Sequence, residues 1–92
     1  MSYTVYMIKL WVKTKVAEKL TRDHIFRRNE KFDIDKFTEY LMEICYELDI
    51  PTPVVLSSHI NNFFEFNTVR FKPDDFVEAV DFEVFIIENA AE

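Results

Sequence analysis

Tyr3-Thr4-Val5-Tyr6-Met7-Ile8-Lys9-Leu10-Trp11-Val12-Lys13-Thr14 is the stretch on which the fold turns. Thr4, Tyr6, Ile8, Leu10 and Val12 alternate with Tyr3, Val5, Met7, Lys9, Trp11 and Lys13. That period of two, in residues rich in β-branched and aromatic types, predicts a strand. Its first face is apolar, and its second is apolar with two lysines. A strand oily on both sides is either central and covered twice, or covered on one side by another chain.

Residues 80–88 alternate in the same way. Val80, Phe82, Val84 and Ile86 make one side, and Asp81, Glu83, Phe85 and Ile87 the other. Laid antiparallel, they predict pairs of Val12 with Val80, Leu10 with Phe82, Ile8 with Val84 and Tyr6 with Ile86. Lys9 then faces Glu83 on the reverse side, and Met7 faces Phe85; such cross-strand pairs contribute about 0.2–1 kcal/mol each. Between these ends, residues 19–28 alternate as a strand closing a hairpin with the first. A helix competes there, since Val16, Leu20 and His24 recur at helical spacing.

Phe37, Tyr40, Leu41, Ile44 and Leu48 share one helical face and predict a helix over 34–48. Asp33 is its expected N-cap, Phe32 and Phe37 have staple spacing, and Pro51 and Pro53 end it. A short second helix is expected over 57–66, capped by Ser57 or Ser58. A strand competes, because Phe64, Phe66, Thr68 and Arg70 alternate. Pro73 suits the first turn of a brief helix that carries Asp74 and Asp75. The fold class is therefore α+β: a two-layer antiparallel sheet of 3–4 strands with one main helix (34–48) and one or two short helices, the first and last strands adjacent. Residues 1–92 read as a single small domain.

The chain contains no glycine. P-loops, dinucleotide fingerprints, kinase glycine loops, nucleophile elbows and EF-hand loops all need glycine at fixed places, so these functions are excluded. Left-handed backbone positions must fall to other residues, and Asn29, Asn61, Asn62 and Asn67 are the first candidates. The lone Cys45 suits a reducing compartment. No secretion signal is visible, and no stretch approaches the ~18 apolar residues that span a bilayer. The expected location is cytoplasmic, without a membrane.

Net charge is −6, unevenly spread. Residues 1–28 hold seven basic groups against two acids, a balance of +5. Residues 29–92 hold four against fifteen, a balance of −11. Such a split marks either a polyanion-binding segment or two halves that neutralise each other on packing. The second reading is favoured, given the repulsion of the acidic half.

Cys45 and His59 are the residue types of a thiol nucleophile and its base, yet nothing in their spacing brings them together. Capping accounts for Ser57 and Ser58, and no catalytic residue is assigned. Asp74, Glu78 and Asp81 would share a face if that segment were helical, as ligands for magnesium or manganese in a metal-dependent hydrolase. Polar positions on a short element explain them as well, so no cofactor is assigned. Lys9, Trp11 and Lys13 share a strand face. With Lys15, Lys19, Arg22, Arg27 and Arg28 they supply the ring-and-cation mixture of single-stranded nucleic-acid binders. The acidic balance of the whole chain opposes that reading. The favoured expectation is a non-enzymatic protein-interaction module, a homodimer or a binder of another protein, joined through the second sheet face. Its interface candidates are Val5, Met7, Trp11, Phe85 and Ile87.

Overall fold

A computed structural model describes residues 7–90. Strand β1 (Ile8–Val16) is followed by strand β2 (Lys19–Arg28). A 3-10 turn at Ile34–Lys36 leads into helix α1 (Phe37–Leu48). Helix α2 (Ser57–Phe66) leads into strand β3 (Thr68–Phe71), and strand β4 (Val84–Asn89) comes last. The strands form one antiparallel sheet in the order β2-β1-β4-β3, so the first and last are neighbours, as expected.

Both helices lie on one face. Phe37, Tyr40, Leu41, Ile44 and Cys45 of α1 and Phe63 of α2 share a core with Ile8, Leu10 and Val12 of β1. Phe26 of β2, Val69 and Phe71 of β3, and Phe85 and Ile87 of β4 complete it from the sheet. Rings dominate, since each removes a large apolar area from water for few rotatable bonds. Phe85 lies 5.9 Å from Phe71, 6.2 Å from Phe82 and 6.3 Å from Phe76, centroid to centroid.

The hairpin expected over residues 19–28 forms. Its turn residues, Ala17 and Glu18, both have positive φ, 51° and 65°. A two-residue turn with both residues left-handed matches the twist of its strands. Thr14 faces Arg22 but Lys15 faces Leu20, so Thr21 is an extra residue, a bulge. The Thr21 hydroxyl donates to the Thr14 carbonyl at 3.1 Å and lies 2.8 Å from the Thr14 hydroxyl. These bonds let Thr14 sit wholly buried.

Asp33 caps the 3-10 turn that opens the main helix, accepting from the Asp35 N–H at 3.0 Å. At the other end Asp49 is left-handed, φ 55°. Asn67 is left-handed at the end of α2, as expected. The remaining positive-φ positions are Ala17, Glu18 and Asp49, not Asn29, Asn61 or Asn62. Ser57 and Ser58 are the first residues of α2 and do not cap it; the Leu56 N–H is satisfied by His59 Nδ1 at 2.9 Å.

The register of the last strand differs from expectation. Val12 faces Ile87, Leu10 faces Asn89 and Thr14 faces Phe85. Val12 thus pairs seven positions further along than Val80. An odd displacement turns every side chain to the opposite face. Phe85 and Ile87 therefore lie under the helices, and Val84 and Ile86 face away from them. Residues 80–83 precede the strand; there Phe82 packs edge-on against Phe76 at 5.3 Å.

Candidate functional site

The sheet face opposite the helices carries no second layer among the described residues. β1 contributes Lys9, Trp11, Lys13 and Lys15 to it. Opposite them, β2 contributes Arg27, Ile25, Asp23 and, beyond the bulge, Leu20. β4 adds Glu88, Ile86 and Val84, and β3 adds Thr68 and Arg70. Trp11 keeps 36% of its surface exposed at the middle of this face, whereas Ile86 keeps 3%.

Trp11 is held in place. Its indole Nε1–H donates to Asp23 Oδ1 across the hairpin. The Lys13 ammonium sits 3.8 Å from its ring centroid and bonds Glu88 Oε1 at 2.6 Å. Lys13 is buried nonetheless, since its stem lies along the sheet while its head finds a carboxylate. At the hairpin end, Lys15, Arg70, Val84 and Ile86 line a hollow of about 480 Å³ with Glu18 and Glu83. Lys9, Lys13, Lys15, Arg27 and Arg70 thus share the face with Asp23 and Glu88, and at its hairpin end with Glu18 and Glu83.

Of the five expected interface residues, Trp11 and Met7 are exposed, and Val5 lies outside the described residues. Phe85 and Ile87 are core residues on the opposite face and cannot meet a partner there. Val84 and Ile86 hold the positions they were expected to fill. Of the seven basic candidates, Lys9, Lys13, Lys15 and Arg27 reach the bare face. Arg22 and Arg28 point to the helix side, where each is paired with an acid of the other half of the chain. Arg22 makes a two-pronged bridge to Asp81, 3.0 Å on each arm, and Arg28 pairs with Glu43. Lys19, opposite Val16, is exposed beside the turn. With Lys13–Glu88, three ion pairs join the basic segment to the acidic one. Arg70 is the cation the sequence reading missed; it reaches the face only because β3 docks beside β4.

The acidic trio does not assemble. Asp74 sits in a 3-10 turn and residues 76–83 are not helical, so Asp74, Glu78 and Asp81 share no helix face. No group of three metal-ligating residues occurs among the described residues. The hydrogen bonds from Arg22 hold the Asp81 carboxyl below the usual carboxylate range. His59 is buried, caps α2 and lies 4.5 Å from Phe71, ring to ring, with its Nε2 3.6 Å from Asp75.

Cys45 is buried in the core, and burial pushes its thiol up to about 11, against a weaker lowering by a hydrogen bond with Thr52. A thiol so placed stays protonated at neutral pH and is not a nucleophile. Iodoacetamide at pH 8 is therefore expected to label Cys45 only as fast as the protein unfolds. Stability should be indifferent to this thiol below its unfolded value of 9.0 and fall as pH rises from there toward about 11. Rapid labelling of the native protein would contradict this placement.

Comparison with protein-family models, curated proteins and solved structures finds no match. Among the described residues no helix is long and apolar enough to cross a membrane.

Proposed function

We propose that the chain is a non-enzymatic protein-interaction module whose docking surface is the bare sheet face around Trp11. The observation that carries this reading is an indole held rigidly, yet over a third exposed, on a sheet face with no second layer among the described residues. Rigid aromatic anchors ringed by polar groups are the usual centres of protein interfaces. Three of the groups considered for chemistry have structural tasks: Cys45 fills the core, His59 caps α2, and Asp81 anchors Arg22.

The face's charge favours an acidic polypeptide over a second copy on this surface. Two such faces laid together would oppose five cations and four acids to the same set, a positive excess on each side, and like charges across an interface are costly. Single-stranded nucleic acid fits less well. It stacks on successive rings, whereas among the described residues this face presents Trp11 alone, flanked by the carboxylates of Asp23 and Glu88.

Trp11 is the sole tryptophan, so its fluorescence reports on the face directly. Titration with a glutamate–leucine copolymer is expected to blue-shift its emission. The shift should vanish at high salt and in Lys15→Glu/Arg70→Glu. A stronger response to oligothymidylate would move the assignment to nucleic acid, and silence with both would remove the face as a docking surface.

A further inference from the structure

The two edges of the sheet are unlike. β3 is four residues long, bounded by left-handed Asn67 and by Pro73. β2 is ten residues long and contains no proline. Natural edges are blunted by shortness, proline, a bulge or charged side chains; β2 has a bulge at its hairpin end and charges of both signs, but neither shortness nor proline.

The direction of the free groups on β2 follows from its neighbours. Lys9 and Lys15 accept through their carbonyls from the Ala90 and Glu83 N–H groups, on the β4 side. Backbone polar groups alternate along a strand, so Ile8, Leu10 and Val12 address β2, pairing with Arg28, Phe26 and His24. Asp23, Ile25 and Arg27 between them turn their N–H and C=O groups away from the sheet. Beside this edge runs a trough of about 770 Å³, floored by His24 to Arg28 and walled by Met42, Glu43, Tyr46 and Glu47 of α1. Met42 is 57% exposed and Tyr46 86%, large apolar area with nothing over it.

We infer that a second copy of this chain adds its β2 to this edge, antiparallel about a two-fold axis at Ile25, to form one continuous eight-stranded sheet. In that register Ile25 faces Ile25 of the other copy, and Asp23 faces Arg27 twice. These are the residues whose backbone groups point outward, so each facing pair exchanges both of its hydrogen bonds. The side chains agree with the backbone. Asp23 gives one carboxylate oxygen to Trp11 and keeps the other for Arg27 across the axis. A guanidinium has five donors and accepts this new partner beside its contacts within the chain. The Arg27 carbonyl, which takes Arg28 Nη1 at 3.0 Å, has a second lone pair for the ladder. The like-charged pair that the register creates, Arg22 against Arg28, arrives neutralised by Asp81 and Glu43. Met42 and Tyr46 of each α1 flank the joined edges and gain cover from the other copy.

Light scattering coupled to size exclusion tests the inference. The wild type is expected at twice the chain mass. Asp23→Arg and Arg27→Asp should each give monomers, because each sets like charges across the axis. The double variant Asp23→Arg/Arg27→Asp should restore the dimer, which loss of the Trp11–Asp23 bond alone would not do. Ile25→Pro removes an outward N–H and none from the sheet's own ladder, so it should give a folded monomer. A wild type that is monomeric at hundreds of micromolar overturns the inference. So does a dimer that survives both single charge reversals. Neither result bears on copolymer binding at the Trp11 face, which a monomer also presents.

Discussion

Phe85→Ala is expected to destabilise the protein by about 3–5 kcal/mol, enough to unfold a marginal small fold at physiological temperature. Phe85 is wholly buried where β4 crosses the helix-covered face, and its ring lies against Phe71, Phe76 and Phe82. Truncation removes the transfer energy of the ring and leaves a void whose walls are themselves rings and cannot close in. Val84→Ala, one residue away but on the bare face, should cost about 1 kcal/mol, because Val84 is only half-buried. Urea unfolding of the two variants reads the phase of the strand. Comparable losses would place Phe85 on the outer face, where the reading from alternation alone put it.

The second large effect runs the other way. Ala17 and Glu18 occupy left-handed backbone at φ 51° and 65°. For residues with a Cβ that conformation costs roughly 1–2 kcal/mol each. Ala17→Asn with Glu18→Gly should relieve most of this cost and raise stability by about 2 kcal/mol. For a chain of this size that corresponds to roughly 10 °C in Tm. The bond from the Ala17 N–H to Glu83 Oε1 at 2.8 Å is made by the backbone and survives the change. Ala17→Val should lower Tm, since β-branching tolerates this region worst. Differential scanning calorimetry decides it, and an unchanged Tm in the double variant would mean that the turn adapts without cost.

These two cases show where sequence and structure part company. The main helix was legible because Phe37, Tyr40, Leu41 and Ile44 recur at its period, and Asp33 marks its start. β2 was legible from alternation. The phase of β4 was not, because Val84, Phe85, Ile86 and Ile87 are all apolar and alternation among equals picks no face. The turn was hidden for a different reason. A glycine-free chain puts Ala17 and Glu18 where Asn-Gly would have announced a hairpin, so the tertiary pairing of β1 and β2 overrides local preference.

For the candidate face, the sequence identified Lys9, Trp11, Lys13, Lys15 and Arg27 because one strand and its hairpin partner carry them. Arg70 depends on which strand docks beside β4, a long-range choice that no local spacing encodes. The acidic trio failed because its grouping presumed a helix over 74–81. There the chain instead leaves a single 3-10 turn and runs irregularly, so that Phe76 and Phe82 can both reach the core.

The contrast between the short, proline-bounded β3 and the long, open β2 sets a limit on growth. A subunit that can be extended from one flank only, and there only by an identical copy turned about a two-fold axis, uses up its adhesive border in a single encounter. The product has two blunt outer rims and no template left for a third member. Concentrating such a protein should therefore yield a finite particle and not fibres.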